Sequence, residues 1–352
     1  MTDNPLASDL DHILARTEGL WDELRGKRIF IAGGTGFFGC WLLESFAWAN
    51  DKLGLDATAV VLTRDPIRFR KKAPHLASHP AICFHTGDVR SFEFPNGEFS
   101  HIIHAATESS TKLNEEDPLG MFDTIVQGTW HTLEFARRCA ARKFLLTSSG
   151  AVYGKQPPEI THIPEDYRGA PDPMDLRSAY GEGKRAAELL CSLYAKRYGL
   201  ETKIARCFTF VGPYLPLDAH FAIGNFIRDA LQGGPVRVNG DGTPYRSYLY
   251  AADLAIWLWT IFLHGKTCRS YNVGSGKEIA IRDLANMVAT VLHPKLEVKI
   301  AKQAVAGRTV ERYVPCVERA QTELNLSQDI VLQEAIWRTA TWQSNSPAKA
   351  AG

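Results

Sequence analysis

Residues 27–39 read KRIFIAGGTGFFG. The opening apolar run has no helical period and stops at a glycine, the pattern of a short strand buried on both faces. Gly33, Gly36 and Gly39 then recur at three-residue spacing, and CWLLESFAWA (40–49) continues as an apolar helix. In that strand–turn–helix setting each glycine has a separate task. The first permits the tight turn off the strand, the second lets backbone N–H groups approach a pyrophosphate, and the third lets the helix pack closely on the sheet. The helix start adds its partial positive charge. The bland reading is a tight strand–helix turn that binds nothing, but the setting favours the phosphate-binding one.

Outward from this turn, strands and helices alternate. ATAVVLT (57–63), AICFHTGD (81–88), HIIHAA (101–106), KFLLTSS (143–149) and ETKIARCF (201–208) read as strands, and 119–140 and 178–198 as long helices. Alternation of this kind builds βαβ units. The expected fold class is therefore α/β, a doubly wound parallel sheet of the Rossmann type with a smaller C-terminal substrate-binding lobe. Leu10, Ile13, Leu14, Leu20 and Leu24 predict one amphipathic helix over 7–25, so residues 1–26 form an N-terminal helical extension. The dinucleotide-binding domain is expected over 27–208 with parts of 236–275, and the substrate lobe over 209–235 and 276–343. KEIAIRDLANMVATVL (277–292) reads as a helix, and SNSPAKAAG (344–352) as a disordered tail.

Bulk properties exclude other classes. The chain has 352 residues, 45% apolar and 22% charged, with a formal net charge of +1, ordinary for a globular protein. That charge gives no broad footprint for nucleic acid. No apolar run reaches bilayer length and the N-terminus lacks a secretory h-region, so a cytoplasmic protein with no membrane partner is expected. The seven cysteines include no CxxC and read as buried free thiols. The histidines form no HExxH, so no metal is expected.

The end of the second strand bears on cofactor choice. An acidic residue there would favour NAD by binding the adenosine ribose. LTRDP supplies Thr63 and Arg64 instead, with Asp65 arriving later. Arg64 suits a 2′-phosphate, so the cofactor is NAD or NADP with NADP slightly favoured; stacking on adenine or a plain loop charge are its other readings. Asp88, followed by Val89, is placed to accept from the adenine amino group, or else to cap a helix.

SAYGEGK puts Tyr180 and Lys184 four residues apart on one helix face. A phenol is a poor base at neutral pH, but a neighbouring ammonium favours phenolate. Tyr180 then exchanges a proton with a substrate hydroxyl or ketone while hydride moves, and Ser149 at the end of its strand bonds the same oxygen. A surface YxxxK pair is the plain alternative.

With these pieces in place the chain resembles the extended short-chain dehydrogenases/reductases of the NAD-dependent epimerase/dehydratase family, which act on nucleotide sugars. The resemblance covers about 27–343 and rests on GGTGFFG, HAAT, LLTSSGAVYG, SAYGEGK, RCFTFVGP, GDGTPYRSYLYAADLA, YNVGSG and RTVERYVP. It is similar in pattern to UDP-glucuronate decarboxylases and 4-epimerases. It implies that Gly33, Gly36, Phe37, Phe38, Gly39, Thr63, Arg64, Asp88, Val89, Ala105 and Ala106 line the cofactor, joined by Tyr180 and Lys184. Ser149, Tyr180 and Lys184 would be catalytic. Thr107, Thr209, Asn225, Arg246 and Arg308 would meet the substrate, the two arginines as clamps on its diphosphate. A homodimer through a four-helix bundle of the 119–140 and 178–198 helices is also implied.

Departures narrow the reaction. Gly150 and Ala151 follow Ser149 where dehydratases carry Asp-Glu and decarboxylases a glutamate. Thr209 replaces the usual asparagine of the RCFN motif, and Ile125 that of NVxGT. Hydride transfer at C4 of a nucleotide-diphosphate sugar, as a 4-epimerase or 4-ketoreductase, needs neither missing acid. A dehydratase or decarboxylase with relocated groups, Glu108 or Asp218, is the alternative enzyme. A non-catalytic dinucleotide sensor or assembly subunit is the alternative from another class.

Overall fold

The computed structural model describes residues 4–107, 111–219, 221–305, 307 and 309–345. Its elements in chain order begin with α1 (Ala7–Arg16), β1 (Arg28–Ala32), α2 (Phe37–Leu53), β2 (Thr58–Thr63), α3 (Pro66–Lys72), α4 (Pro74–Ala77), β3 (Ile82–Thr86) and β4 (His101–His104). Next come α5 (Thr111–Glu116), α6 (Pro118–Arg138), β5 (Lys143–Ser149), α7 (Ala179–Tyr198), β6 (Glu201–Cys207), β7 (Phe210–Val211), α8 (Ala222–Leu231), β8 (Val236–Val238), β9 (Tyr245–Ser247) and β10 (Leu249–Tyr250). The chain continues through α9 (Ala251–His264), β11 (Arg269–Val273), β12 (Glu278–Ala280), α10 (Ile281–Leu292), β13 (Val298–Ile300), β14 (Arg312–Tyr313), α11 (Glu318–Leu324) and α12 (Leu332–Asn345).

Seven strands form one sheet in the order β11-β6-β5-β4-β1-β2-β3, each parallel to its neighbours. This is the doubly wound α/β fold expected. The order reverses between β1 and β4, and such a switch point opens a crevice at the carboxyl ends of the strands. β1 shows why its residues are apolar without interruption. Ile29 and Ile31 enter a core with Trp41, Val61 and Leu145, while Phe30 and Ala32 enter another with Phe92, Phe99 and Phe135. Both faces are covered, so alternation disappears.

α9 escaped the sequence reading. Ala251–Leu263 is buried along its whole length, among α1, α2 and the sheet. A helix wrapped on all sides needs no polar face, so its sequence carries no amphipathic period. The N-terminal helix is shorter than expected. It ends at Arg16, where the Thr17 hydroxyl bonds the Ile13 carbonyl at 2.6 Å and Gly19 takes φ 77°, leaving Trp21–Leu24 as a single tight turn. The stretch expected as helix from 277 instead opens as β12, which pairs antiparallel with β9; the helix starts at Ile281. α12 runs to Asn345, so the first two residues of the expected tail are helical and the rest lie outside the described residues.

Beyond β7 the chain weaves small sheets: β12-β9-β14, and β13 with β8, covered by α8 and α10. β11 returns to the large sheet beside β6. All seven cysteines are free, but only Cys40, Cys191 and Cys207 are buried; Cys83 and Cys268 are exposed, against the expectation of uniformly buried thiols. Among the described residues no helix is long and apolar enough to cross a membrane.

Candidate active site

The turn after β1 is as tight as the glycines suggested. Gly33 adopts φ 86°, and a Cβ there would stand 2.3 Å from the Ala105 carbonyl carbon and 2.6 Å from the Ala106 nitrogen. Ala105 and Ala106 thus seat the turn by their backbone. A Cβ on Gly39 would lie 2.3 Å from the Gly33 carbonyl oxygen, so glycine there is what lets α2 close on the strand. Gly36 is different: a Cβ would meet only the Gly33 oxygen, at 3.5 Å. Gly36 also precedes the first turn of α2 with no side chain capping it. The open backbone at the start of a seventeen-residue helix fits a dinucleotide pyrophosphate. Phe37 and Phe38 are half-buried in that turn, with Phe38 edge-on to Phe210 at 5.0 Å. Lys72 was missed in the sequence; its Nζ donates to the Thr35 carbonyl at 2.9 Å and brings a cation to the turn.

At the end of β2, Thr63 is buried and its Oγ1 accepts from the Asp65 amide at 3.2 Å. Asp65 itself caps α3, its Oδ1 accepting the Arg68 amide at 2.9 Å. Arg64 is exposed and has no hydrogen-bond or ion-pair partner among the described residues. Asp88 holds a turn, not a helix start: its Oδ1 accepts from both the amide and Nε of Arg90 at 2.9 Å. The Arg90 guanidinium keeps the Asp88 carboxyl below its usual range. Val89 is buried against α6 at Gly128, where a Cβ would approach its Cγ1 to 2.8 Å.

Ser149 ends β5, Tyr180 opens α7, and Lys184 follows one turn later. Ser149 Oγ accepts the Ala151 amide at 3.1 Å. Lys184 Nζ lies 5.9 Å from the Tyr180 ring centre and donates to Thr107 Oγ1 at 2.9 Å and the Thr147 carbonyl at 2.8 Å. Burial lowers the Lys184 ammonium to about 8. Burial pushes the Tyr180 phenol up to about 12, and hydrogen bonding from Ser149 works against that rise. His104 stands behind this group, bonded through Nε2 to Thr129 Oγ1 at 3.1 Å. Burial, then the nearby Lys184 charge, lower it to about 3, so it is neutral at physiological pH. Ile125 is fully buried against α7: a Cβ on Gly183 would come within 3.2 Å of it. The apolar side chain thus replaces a polar one behind the lysine.

Tyr313 lies within RTVERYVP, where local sequence gives it no role. β14 places it beside Arg246 in register. Its ring lies 4.7 Å from that of Phe208. A Cβ on Gly150 would stand 2.6 Å from its hydroxyl. Glycine at 150 is therefore what admits this phenol next to Ser149. No local sequence signal gives this, because 150 and 313 meet only through the tertiary fold.

On the substrate side the polar groups are partly committed. Thr209 Oγ1 donates to the Ser247 carbonyl. Asn225 Oδ1 accepts from Arg228 at 3.1 Å, and Arg246 pairs with Glu311 and donates to the Tyr245 carbonyl at 2.9 Å. Arg308 and Glu108 lie outside the described residues. Asp218 is exposed.

A doubly wound sheet, a glycine turn between β1 and α2, and Ser149 at the end of β5 near Tyr180 and Lys184 on α7 define the class of extended Rossmann-type α/β proteins. Residues 29–274 match the NAD dependent epimerase/dehydratase family, and the chain belongs to it. Among its relatives, UDP-glucuronic acid decarboxylase 5 of Arabidopsis thaliana is 31% identical over 88% of this chain and 87% of its own. Two solved structures show the same fold. A dTDP-glucose 4,6-dehydratase from Streptomyces venezuelae, determined with NAD bound, has TM-score 0.76 and 24% identity, covering 91% of this chain and 98% of its own. A UDP-N-acetylglucosamine 4-epimerase from Methanobrevibacter ruminantium has TM-score 0.78 and 20% identity, covering 91% and 99%.

Proposed function

We propose that this protein transfers hydride at C4 of a nucleotide-diphosphate sugar, as a 4-epimerase or a 4-ketoreductase. The observation that carries the reading is the complete Ser149/Tyr180/Lys184 set beside the glycine turn, with Gly150 and Ala151 supplying no acid or base where the reaction of a dehydratase or decarboxylase needs one. The bound dinucleotide supplies hydride exchange. The chain's own residues do the rest. Tyr180 passes the proton of the sugar hydroxyl, Ser149 holds the same oxygen, and Lys184 favours the phenolate and orients the cofactor side. Residues 209–235 and 276–343 form the substrate lobe; its Asn225 and Arg308, together with Arg246 of the intervening segment, meet the diphosphate. Arg64, exposed and unpaired among the described residues, favours NADP through its 2′-phosphate. The same reading includes a homodimer. Leu119, Phe122 and Trp130 on α6 and Leu189 and Leu193 on α7 are exposed, and two copies of this helix pair would cover them in a four-helix bundle.

The similarity to decarboxylases over most of the chain supports a second reading, decarboxylation with a relocated acid–base group. Mass spectrometry of molecules released on denaturing the purified protein is the first test. Stoichiometric NAD(H) or NADP(H) supports a closed redox cycle, whereas an empty protein supports a reductase with exchangeable cofactor. Incubation with UDP-glucuronic acid separates the second reading by loss of CO2. Tyr180→Phe is expected to abolish turnover with the fold retained; full activity in that variant removes Tyr180 from its role.

A further inference from the structure

The hydroxyl of a serine offers one donor and two acceptor sites. At Ser149 one acceptor site is taken by the Ala151 amide at 3.1 Å. The neighbours left are two phenols, Tyr180 and Tyr313, each near enough to Ser149 for its hydroxyl to oppose the rise that burial imposes on them. Tyr313 reaches this position because residue 150 has no side chain: a Cβ there would stand 2.6 Å from the phenol oxygen. Phe208 stacks against its ring at 4.7 Å, and β14 fixes its backbone beside β9. Its hydroxyl finds no other hydrogen-bond partner among the described residues. We propose that Tyr313 is a positioning residue that donates to the second acceptor site of Ser149 and so leaves the Ser149 proton only one direction, toward the Tyr180 oxygen and the substrate oxygen beside it.

The chemistry of the phenol agrees with a donor role. Burial raises Tyr313 far above the ordinary phenol range, so it stays neutral and keeps its proton. A hydroxyl that accepts two hydrogen bonds becomes a stronger donor, because linked bonds polarise one another. Tyr313 therefore acts on Tyr180 through Ser149, favouring the Tyr180 phenolate. This inference rests on the reading of Tyr180 as the proton-transferring phenol.

The test is an ultraviolet difference titration of the protein loaded with NAD+ or NADP+, which needs no knowledge of the sugar. Subtracting the Tyr180→Phe titration isolates the Tyr180 band. In Tyr313→Phe, which keeps ring volume, the Tyr180 midpoint is expected to rise by roughly half to one pH unit, the size of one net hydrogen bond. In a Ser149→Ala background the same substitution is expected to move nothing, since the link is cut. Gly150→Ala, which displaces the Tyr313 hydroxyl without altering it, is expected to raise the midpoint in the same direction. An unmoved midpoint in Tyr313→Phe, or an equal shift persisting in Ser149→Ala, overturns the positioning role while leaving Tyr180 in place. Absence of any Tyr180 band in the loaded protein overturns the underlying reading as well.

Discussion

Lys184→Met tests the electrostatics of the site most directly. The Lys184 ammonium is 3% exposed and, among the described residues, is held by Thr107 Oγ1 at 2.9 Å and the Thr147 carbonyl at 2.8 Å with no ion-pair partner. Burial lowers it from 10.5 to about 8. At about 1.36 kcal/mol per pH unit, the folded protein disfavours the charged lysine by ~3.4 kcal/mol at neutral pH, an upper figure for a site without cofactor. The sign follows from proton counts. Between about 8 and 10.5 the unfolded chain holds this proton and the folded chain does not, so stability rises with pH across that window and the penalty is fully present below it. Methionine fills similar volume and removes the charge, but strands two acceptors at about 1 kcal/mol each. The expected net effect at about pH 7 is a gain of ~1 kcal/mol in the cofactor-free variant, together with loss of turnover. Urea unfolding of both proteins at about pH 7 and about pH 9.5 provides the assay. The wild-type protein should gain ~2 kcal/mol on the variant between those values. Parallel stability profiles would mean that Lys184 is solvated, and the account of a desolvated catalytic cation would fail.

Three further outcomes are expected. Gly33→Ala forces a side chain into φ 86° and against the Ala105 backbone at 2.3 Å, so it should cost at least ~2 kcal/mol and abolish dinucleotide binding measured by calorimetry. Arg64→Ala should weaken NADP+ binding by roughly 10-fold or more and leave NAD+ nearly unchanged; equal losses for both would remove Arg64 as the 2′-phosphate contact. Trp130→Glu with Leu193→Glu places charge on the exposed α6/α7 face and should convert a dimer to a monomer in light scattering, with cofactor binding retained.

The sequence by itself determined the parts whose physics is local. The glycine turn was legible because φ 86° at Gly33 and the close approach at Gly39 exclude other residues, and because an apolar strand and an apolar helix flank it. Tyr180 and Lys184 were legible because a helix brings residues four apart onto one face. The sheet was legible because burial on both faces leaves continuous apolar runs. What joins distant segments was decided only by the tertiary structure. α9 has no polar face to announce itself, since it is enclosed between α1, α2 and the sheet. Asp88 read equally as a partner of the adenine amino group or as a helix cap until its hydrogen bonds to Arg90 showed that it holds a turn. Thr209 looked free for substrate until β9 brought the Ser247 carbonyl to its hydroxyl. The meeting of Gly150 and Tyr313, far apart in the chain, turns an apparent deletion of chemistry into an opening for a phenol; only the return of β14 across the end of β5 produces it, and no spacing rule spans that distance.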